Sequence, residues 1–141
     1  MRKQRPVGIN HVSLKVGDVD KALEFYGQFL DFEIIERQPG HVEIGLGDQF
    51  IAFEDDNAPD PEAHFGLVVE NKEAFREALK EANKEIVGSR LDFRDPWGNR
   101  VQIVQYDQIQ FSKNENVLKG MGLKLSKTKE AQDELKSKGL A

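Results

Sequence analysis

Between residues 9 and 16 the chain reads INHVSLKV and alternates, with Val12, Leu14 and Val16 on one side and His11, Ser13 and Lys15 on the other. A period of two with one apolar side predicts a strand packed on a single face. Gly17 and Asp18 interrupt it. The apolar positions then shift to Ala22, Phe25, Tyr26 and Phe29, spaced i, i+3, i+4 and i+7, which predicts a helix over 19–30 capped by Asp18. Further strands are predicted at 32–37, 42–46 and 49–53, with a turn at 38–40 and a break at Gly47 and Asp48.

The segment 54–62 (EDDNAPDPE) is acidic and punctuated by Pro59 and Pro61, and it reads as a linker. After it the pattern starts again. AHFGLVV at 63–69 puts Phe65, Leu67 and Val69 opposite His64, Gly66 and Val68, and Asn71 caps a second helix with Phe75, Ala78, Leu79 and Ala82 as its apolar stripe. A spacing of 53 residues relates that stripe to the first one, and His64 to His11. Matches at a single spacing, with both helix caps in step, argue for internal duplication. The second unit continues through predicted strands at 85–87, 90–93 and 100–106. The two units span about 9–53 and 63–106.

The second unit closes on DPWGNRVQIVQ, where Asp95, Pro96, Gly98 and Asn99 carry turn chemistry. Beyond the turn, Val101 and Ile103 alternate with Arg100, Gln102 and Val104, so a Gln102 between helix-packed neighbours faces the other side of the sheet. Past residue 106 a helical extension over 107–141 is expected. Val117, Leu118, Met121 and Leu125 make a short apolar patch broken by Gly120 and Gly122, and 127–138 is a polar helix with Ala131 and Leu135 as its apolar residues. Residues 1–7 read as a loose polar lead-in.

Composition narrows the chemistry. The chain has 141 residues, a net charge of −5 and no cysteine. That removes disulfides, thiolate nucleophiles and Cys-based metal sites. An acidic chain without a basic groove is a poor partner for nucleic acid. No apolar core follows the basic MRKQRP, and no stretch approaches membrane-spanning length, so no membrane association and a cytoplasmic location are the expectations.

His11, His64 and Gln102 each lie on a strand, on the face turned away from the helices. If the two units join their sheets, the three side chains share one concavity. Two imidazoles and an oxygen ligand suit Fe, Mn, Ni or Zn with open positions for substrate. Phe50, Phe93, Trp97 and Tyr106 are candidate pocket walls, with ordinary core as the competing place for each. Ala52 shares the concave parity. Glu54 shares it too, although as the first residue of the acidic linker it is expected to be solvated. His41, beside a turn and without a partner in the repeat, is expected at the surface.

NHVSLKVGDVDKALEFYGQFLDFE, AHFGLVVE and DPWGNRVQIVQ resemble the opening motif, second histidine strand and closing strand of the vicinal oxygen chelate superfamily, which includes glyoxalases, extradiol dioxygenases and the fosfomycin and bleomycin resistance proteins. The resemblance implies an α+β fold of two tandem βαβββ modules forming a curved, open mixed sheet around a central cavity. His11 and His64 match the family's histidine ligands. Gln102 stands where metal-dependent members usually have glutamate, and Ala52 where glyoxalases place another carboxylate. The resemblance implies a small oxygenated metabolite as ligand, a divalent metal acting as Lewis acid, and a homodimer in which His11 of one subunit faces His64 and Gln102 of the other. The alternative is a metal-free protein of the bleomycin-resistance type that sequesters a drug or metabolite.

Overall fold

A computed structural model describes residues 3–141. Met1 and Arg2 of the predicted lead-in lie outside the described residues. The first unit comprises β1 (Gly8–Lys15), α1 (Val19–Gly27), β2 (Ile34–Gln38), β3 (His41–Leu46) and β4 (Gln49–Glu54). The second comprises β5 (His64–Val69), α2 (Lys72–Glu81), β6 (Asp92–Arg94) and β7 (Arg100–Gln105). One open mixed sheet runs through both in the order β2-β3-β4-β1-β5-β7-β6. Within each unit the first strand pairs in parallel with the last, β1 with β4 and β5 with β7, and the units join through the antiparallel pair β1 and β5.

The predicted strand at 85–87 is reduced to a single bridge between Val87 and Asp92. Gly88, at φ +69, turns the chain before a strand can grow, and Ile86 packs into the core instead. The second unit therefore contributes three strands to the sheet where the repeat predicts four.

Period-two alternation decides what each face holds. On one face α1 covers Val42, Ile44 and Phe53, and α2 covers Val69, Val101 and Ile103. Asp18 and Asn71 cap these helices by accepting from Lys21 N and Ala74 N at 2.9 and 3.0 Å. The first helix is shorter than its pattern predicts. It ends at Gly27, leaving Phe29 beyond it at 72% exposure and Phe25 at 58%, while Val19, Ala22 and Tyr26 make the packed stripe.

The C-terminal extension adds α3 (Glu115–Gly120) and α4 (Lys129–Ser137). Leu118 and Phe111 pack with Val68 and Tyr106, and Val104 joins them. Val68 and Val104 share the parity of Gly66 and Gln102, so the extension fills one end of the concave face. Lys127 fastens it by donating to the carbonyl oxygens of Tyr106, Ile109 and Phe111. The described part of the lead-in is also docked: Val7 is buried in the same cluster and its N–H donates to Val68 O at 2.8 Å. In chain terms, Val7 behaves as a residue of the core rather than of a loose tail.

Candidate functional site

Strand register arranges the concave face in cross-strand rows. One row runs Gly45, Phe50, His11, Gly66, Gln102, Asp92, and the next runs Glu36, Glu43, Ala52, Ser13, His64. A third carries Gln38, His41 and Glu54. Over them lies a cavity of about 440 Å³, closed at one end by Val104 and Ile109, where the extension packs. The small side chains of Ala52 and Ser13 form its floor between two polar clusters.

The first cluster is His11, His64 and Gln102. Their rings and amide meet within one chain: the two imidazoles stand edge to face with centroids 5.4 Å apart. Within one chain the β1–β5 pair joins both units into one sheet and brings the two histidines together. His11 stacks on Phe50 at 4.7 Å, and its Nδ1–H donates to Asn10 Oδ1 at 2.8 Å. His64 Nδ1 lies 3.0 Å from the carbonyl oxygen of Glu62 and must carry the proton, since a carbonyl can only accept. With Nδ1 committed in each ring, Nε2 is the nitrogen left for other partners, and Gln102 stands within reach of His11. Gln102 Oε1 is buried without a hydrogen-bond partner. Burial, and then the nearby His64 and Arg90, lower the His11 pKa to about 4, so its imidazole is neutral at neutral pH.

Gly66 makes room for this arrangement. A Cβ built there would fall inside 3.0 Å of Asn10 Oδ1 and of His11 Cε1 and Nδ1. A glycine opposite His11 in the register is therefore required by the ring itself.

The second cluster was not anticipated. His41 lines the cavity, with Nδ1 bonded to Glu54 and Nε2 2.8 Å from Glu43 Oε2 and 3.7 Å from Glu36 Oε2. Glu54 is 4% exposed, so it reaches the concavity instead of opening a solvated linker. The signal was present in HVEI: the alternation that buries Val42 and Ile44 against α1 must turn His41 and Glu43 to the other face. Burial and the neighbouring Glu36 raise the Glu43 pKa to about 7.

Three of the proposed pocket walls lie elsewhere. Phe93 pairs with Val101 and so shares the helix face, where its ring lies 5.6 Å from Phe75. Trp97 projects from the turn at 83% exposure, because Asp95 spends its oxygens on Trp97 N, Asn99 N and Asn99 Nδ2 and leaves the indole outside. Tyr106 leaves the sheet in a short 3-10 turn and is buried beneath the extension. Phe50, Ala52 and Glu54 do line the cavity.

The linker forms its rim. Asp60 accepts both Arg100 terminal nitrogens at 2.7 Å, Arg100 Nε donates to the fully buried Asp92 at 2.8 Å, and Arg90 bonds Asp60 at 3.0 Å. These paired charges tie 54–62 to the second unit. Asp55, also in the linker, is buried and accepts from Asn57 N.

Residues 8–103 match the family described as the Glyoxalase/Bleomycin resistance protein/Dioxygenase superfamily. The chain belongs to that superfamily. Solved members share its fold at low identity. A superfamily member from Vibrio splendidus 12B01 is 17% identical, with 74% of this chain and 100% of that one covered at a TM-score of 0.54. Methylmalonyl-CoA epimerase from Mycobacterium tuberculosis is 15% identical, with 74% and 91% covered at 0.52. The Mn(II)-bound glyoxalase from Novosphingobium aromaticivorans is 16% identical at 0.57, with 73% of this chain and 40% of that longer one covered. No curated protein matches the chain. Among the described residues no helix is long and apolar enough to cross a membrane.

Proposed function

We propose that this superfamily member binds a small oxygenated metabolite in the concave cavity and holds a divalent metal through His11, His64 and Gln102. The observation that carries the reading is the set of unspent lone pairs. Both histidine Nδ1 atoms are committed to local acceptors, and the buried Gln102 Oε1 has no partner. Two imidazoles and an amide oxygen fit Fe, Mn, Ni or Zn chemically. The bound Mn(II) of the Novosphingobium glyoxalase supports a metal in this fold. Such an ion supplies Lewis acidity toward adjacent substrate oxygens.

The chain's own residues do the rest. Asn10 and the Glu62 carbonyl fix the two rings with Nε2 free, the role that outer partners of ligating histidines play. Phe50 and Gly66 hold His11 in place from its face and its edge. Val104, Ile109 and the extension exclude water from one end of the cavity. A neutral amide compensates a dication less than carboxylate does, so metal binding is expected to be weaker than in a member with glutamate at Gln102.

Metal analysis and melting temperature test the reading. EDTA-treated protein should gain about 2.7 kcal/mol of stability at a hundredfold excess over Kd of the preferred metal. His11→Ala and His64→Ala should each abolish that response at the first cluster, and Gln102→Glu should strengthen it. Absence of stabilisation by Mn, Fe, Ni and Zn alike would sink the proposal. The rival reading, metal-free sequestration, is favoured by the carboxylates of Glu36, Glu43 and Glu54 at one end of the cavity, which suit a cationic ligand.

A further inference from the structure

The second polar cluster carries an inference independent of the first. Glu36, His41 and Glu43 each offer a ligand atom, all within 4.8 Å of one another. They come from β2 and β3, and Ala52 and Ser13 separate them in register from His64. Their charge is poorly balanced. Among the described residues neither Lys nor Arg pairs with Glu36, Glu43 or Glu54, and His41 is the sole cationic partner any of them has.

Two further features point to a bound cation. Glu54, with 5% of its side chain exposed, lines the same cavity, and its Oε2 is buried with no hydrogen-bond partner. Burying an ionised carboxylate oxygen without a donor is costly unless positive charge compensates it. The other Glu54 oxygen takes the His41 Nδ1–H. His41 Nε2 meets Glu43 Oε2 at 2.8 Å; burial would lower the His41 pKa, but its hydrogen bonds to Glu43 and Glu54 outweigh that and raise it, so the contact calls for positive charge, which either a proton on the ring or a cation in its place supplies. A carboxylate behind a histidine whose far nitrogen meets two more carboxylates is the usual arrangement around a first-row metal.

We propose that His41 Nε2, Glu43 and Glu36 bind a second divalent cation, of the Mn²⁺ or Zn²⁺ type, with Glu54 orienting His41 from behind. One imidazole and two carboxylates with the Glu36 side open to solvent leave coordination positions that face the cavity. The cation would replace the proton that otherwise has to sit between Glu43 and its neighbours.

The test uses the full EDTA-stripped chain carrying His11→Ala and His64→Ala, so the first cluster is silent. Mn²⁺ binding is followed by electron paramagnetic resonance, and Zn²⁺ binding by calorimetry. One equivalent should bind, with a nitrogen coupling from a single imidazole on the Mn²⁺ signal. Adding His41→Ala should remove that coupling, and adding Glu43→Gln or Glu36→Gln should weaken binding at least tenfold. Glu36 is half exposed, so Glu36→Gln leaves the core intact if the Glu43 variant fails to fold. Absence of saturable binding in the double variant, or binding that survives both His41→Ala and Glu36→Gln, overturns the proposal. Binding lost in the double variant but present in the parent would place the metal at His11 and His64 alone.

Discussion

Gly66→Ala is the sharpest probe of how the fold builds the first cluster. The new methyl would sit inside 3.0 Å of three atoms, two of them in the His11 ring. That ring cannot retreat freely: Phe50 is stacked parallel to it at 4.7 Å and His64 stands against it at 5.4 Å. Elsewhere in a strand, replacing glycine by alanine would gain roughly 0.5–1 kcal/mol by removing backbone freedom. Here overpacking of about 1–3 kcal/mol opposes that gain, and losing the parallel stack adds about 0.5–1 kcal/mol. A net loss of about 1–3 kcal/mol is expected in urea unfolding, with an unchanged m-value. Metal affinity should fall at least about tenfold, because the displaced imidazole no longer presents Nε2 beside His64. Stability within about 0.5 kcal/mol of the parent, together with unaltered affinity, would refute the claim that Gly66 exists to seat His11.

Three further outcomes are expected. Asp60→Asn should cost about 1–2 kcal/mol: it removes the bidentate partner of the buried Arg100, but Arg100 keeps Asp92 and the Asp60 carboxylate is partly solvated. Hydrogen bonding to Arg100 holds the Asp60 pKa below its ordinary value, so its contribution is complete above the unfolded carboxyl pKa and is lost as pH falls through the folded one. Acid unfolding should therefore be shallower in the variant, and identical acid limbs would contradict the pairing. Lys127→Met should leave three carbonyls without their donor, cost about 2–4 kcal/mol, and make 107–141 cleavable in limited proteolysis before the sheet unfolds. An extension as resistant as the parent's would count against the fastening role. The single tryptophan, Trp97, should fluoresce like a solvated indole and stay unchanged when the cavity is filled. A blue-shifted emission would place it against protein.

The legible part of this chain was what alternation controls. The 53-residue repeat and the parity of His11, His64 and Gln102 led to a sheet in which those side chains share a face. Parity failed where chain direction changed. Trp97 and Tyr106 sit at the two ends of β7, and there the turn and the 3-10 segment, not the strand, decide where the rings go. Phe93 was misplaced for a different reason: its neighbour Asp92, fully buried on Arg100, takes the concave side. His41 and Glu54 were judged by their surroundings in sequence, a turn and an acidic run. Both lie at strand ends that pair with one another, so each shields the other from the solvent those surroundings imply.

Partner accounting separates the two ends of the cavity more clearly than charge does. Each end buries acidic side chains on the same concave face. At the second-unit end, Asp60 and Asp92 are met by Arg90 and Arg100, in bonds of 2.7–3.3 Å whose geometry joins linker to sheet. Those acids are consumed by structure, and their loss should register as instability. At the first-unit end, Glu43 and Glu54 converge on one histidine; a buried oxygen goes unmatched at each end, Glu54 Oε2 here and Asp92 Oδ1 there, but Asp92 has two arginines on its other oxygen where Glu54 has only His41. A fold optimised only for stability would gain by replacing such groups with apolar residues of similar volume. Their presence at the cavity wall, next to a floor kept open by Ala52 and Ser13, is what the second cation proposed at His41 would account for.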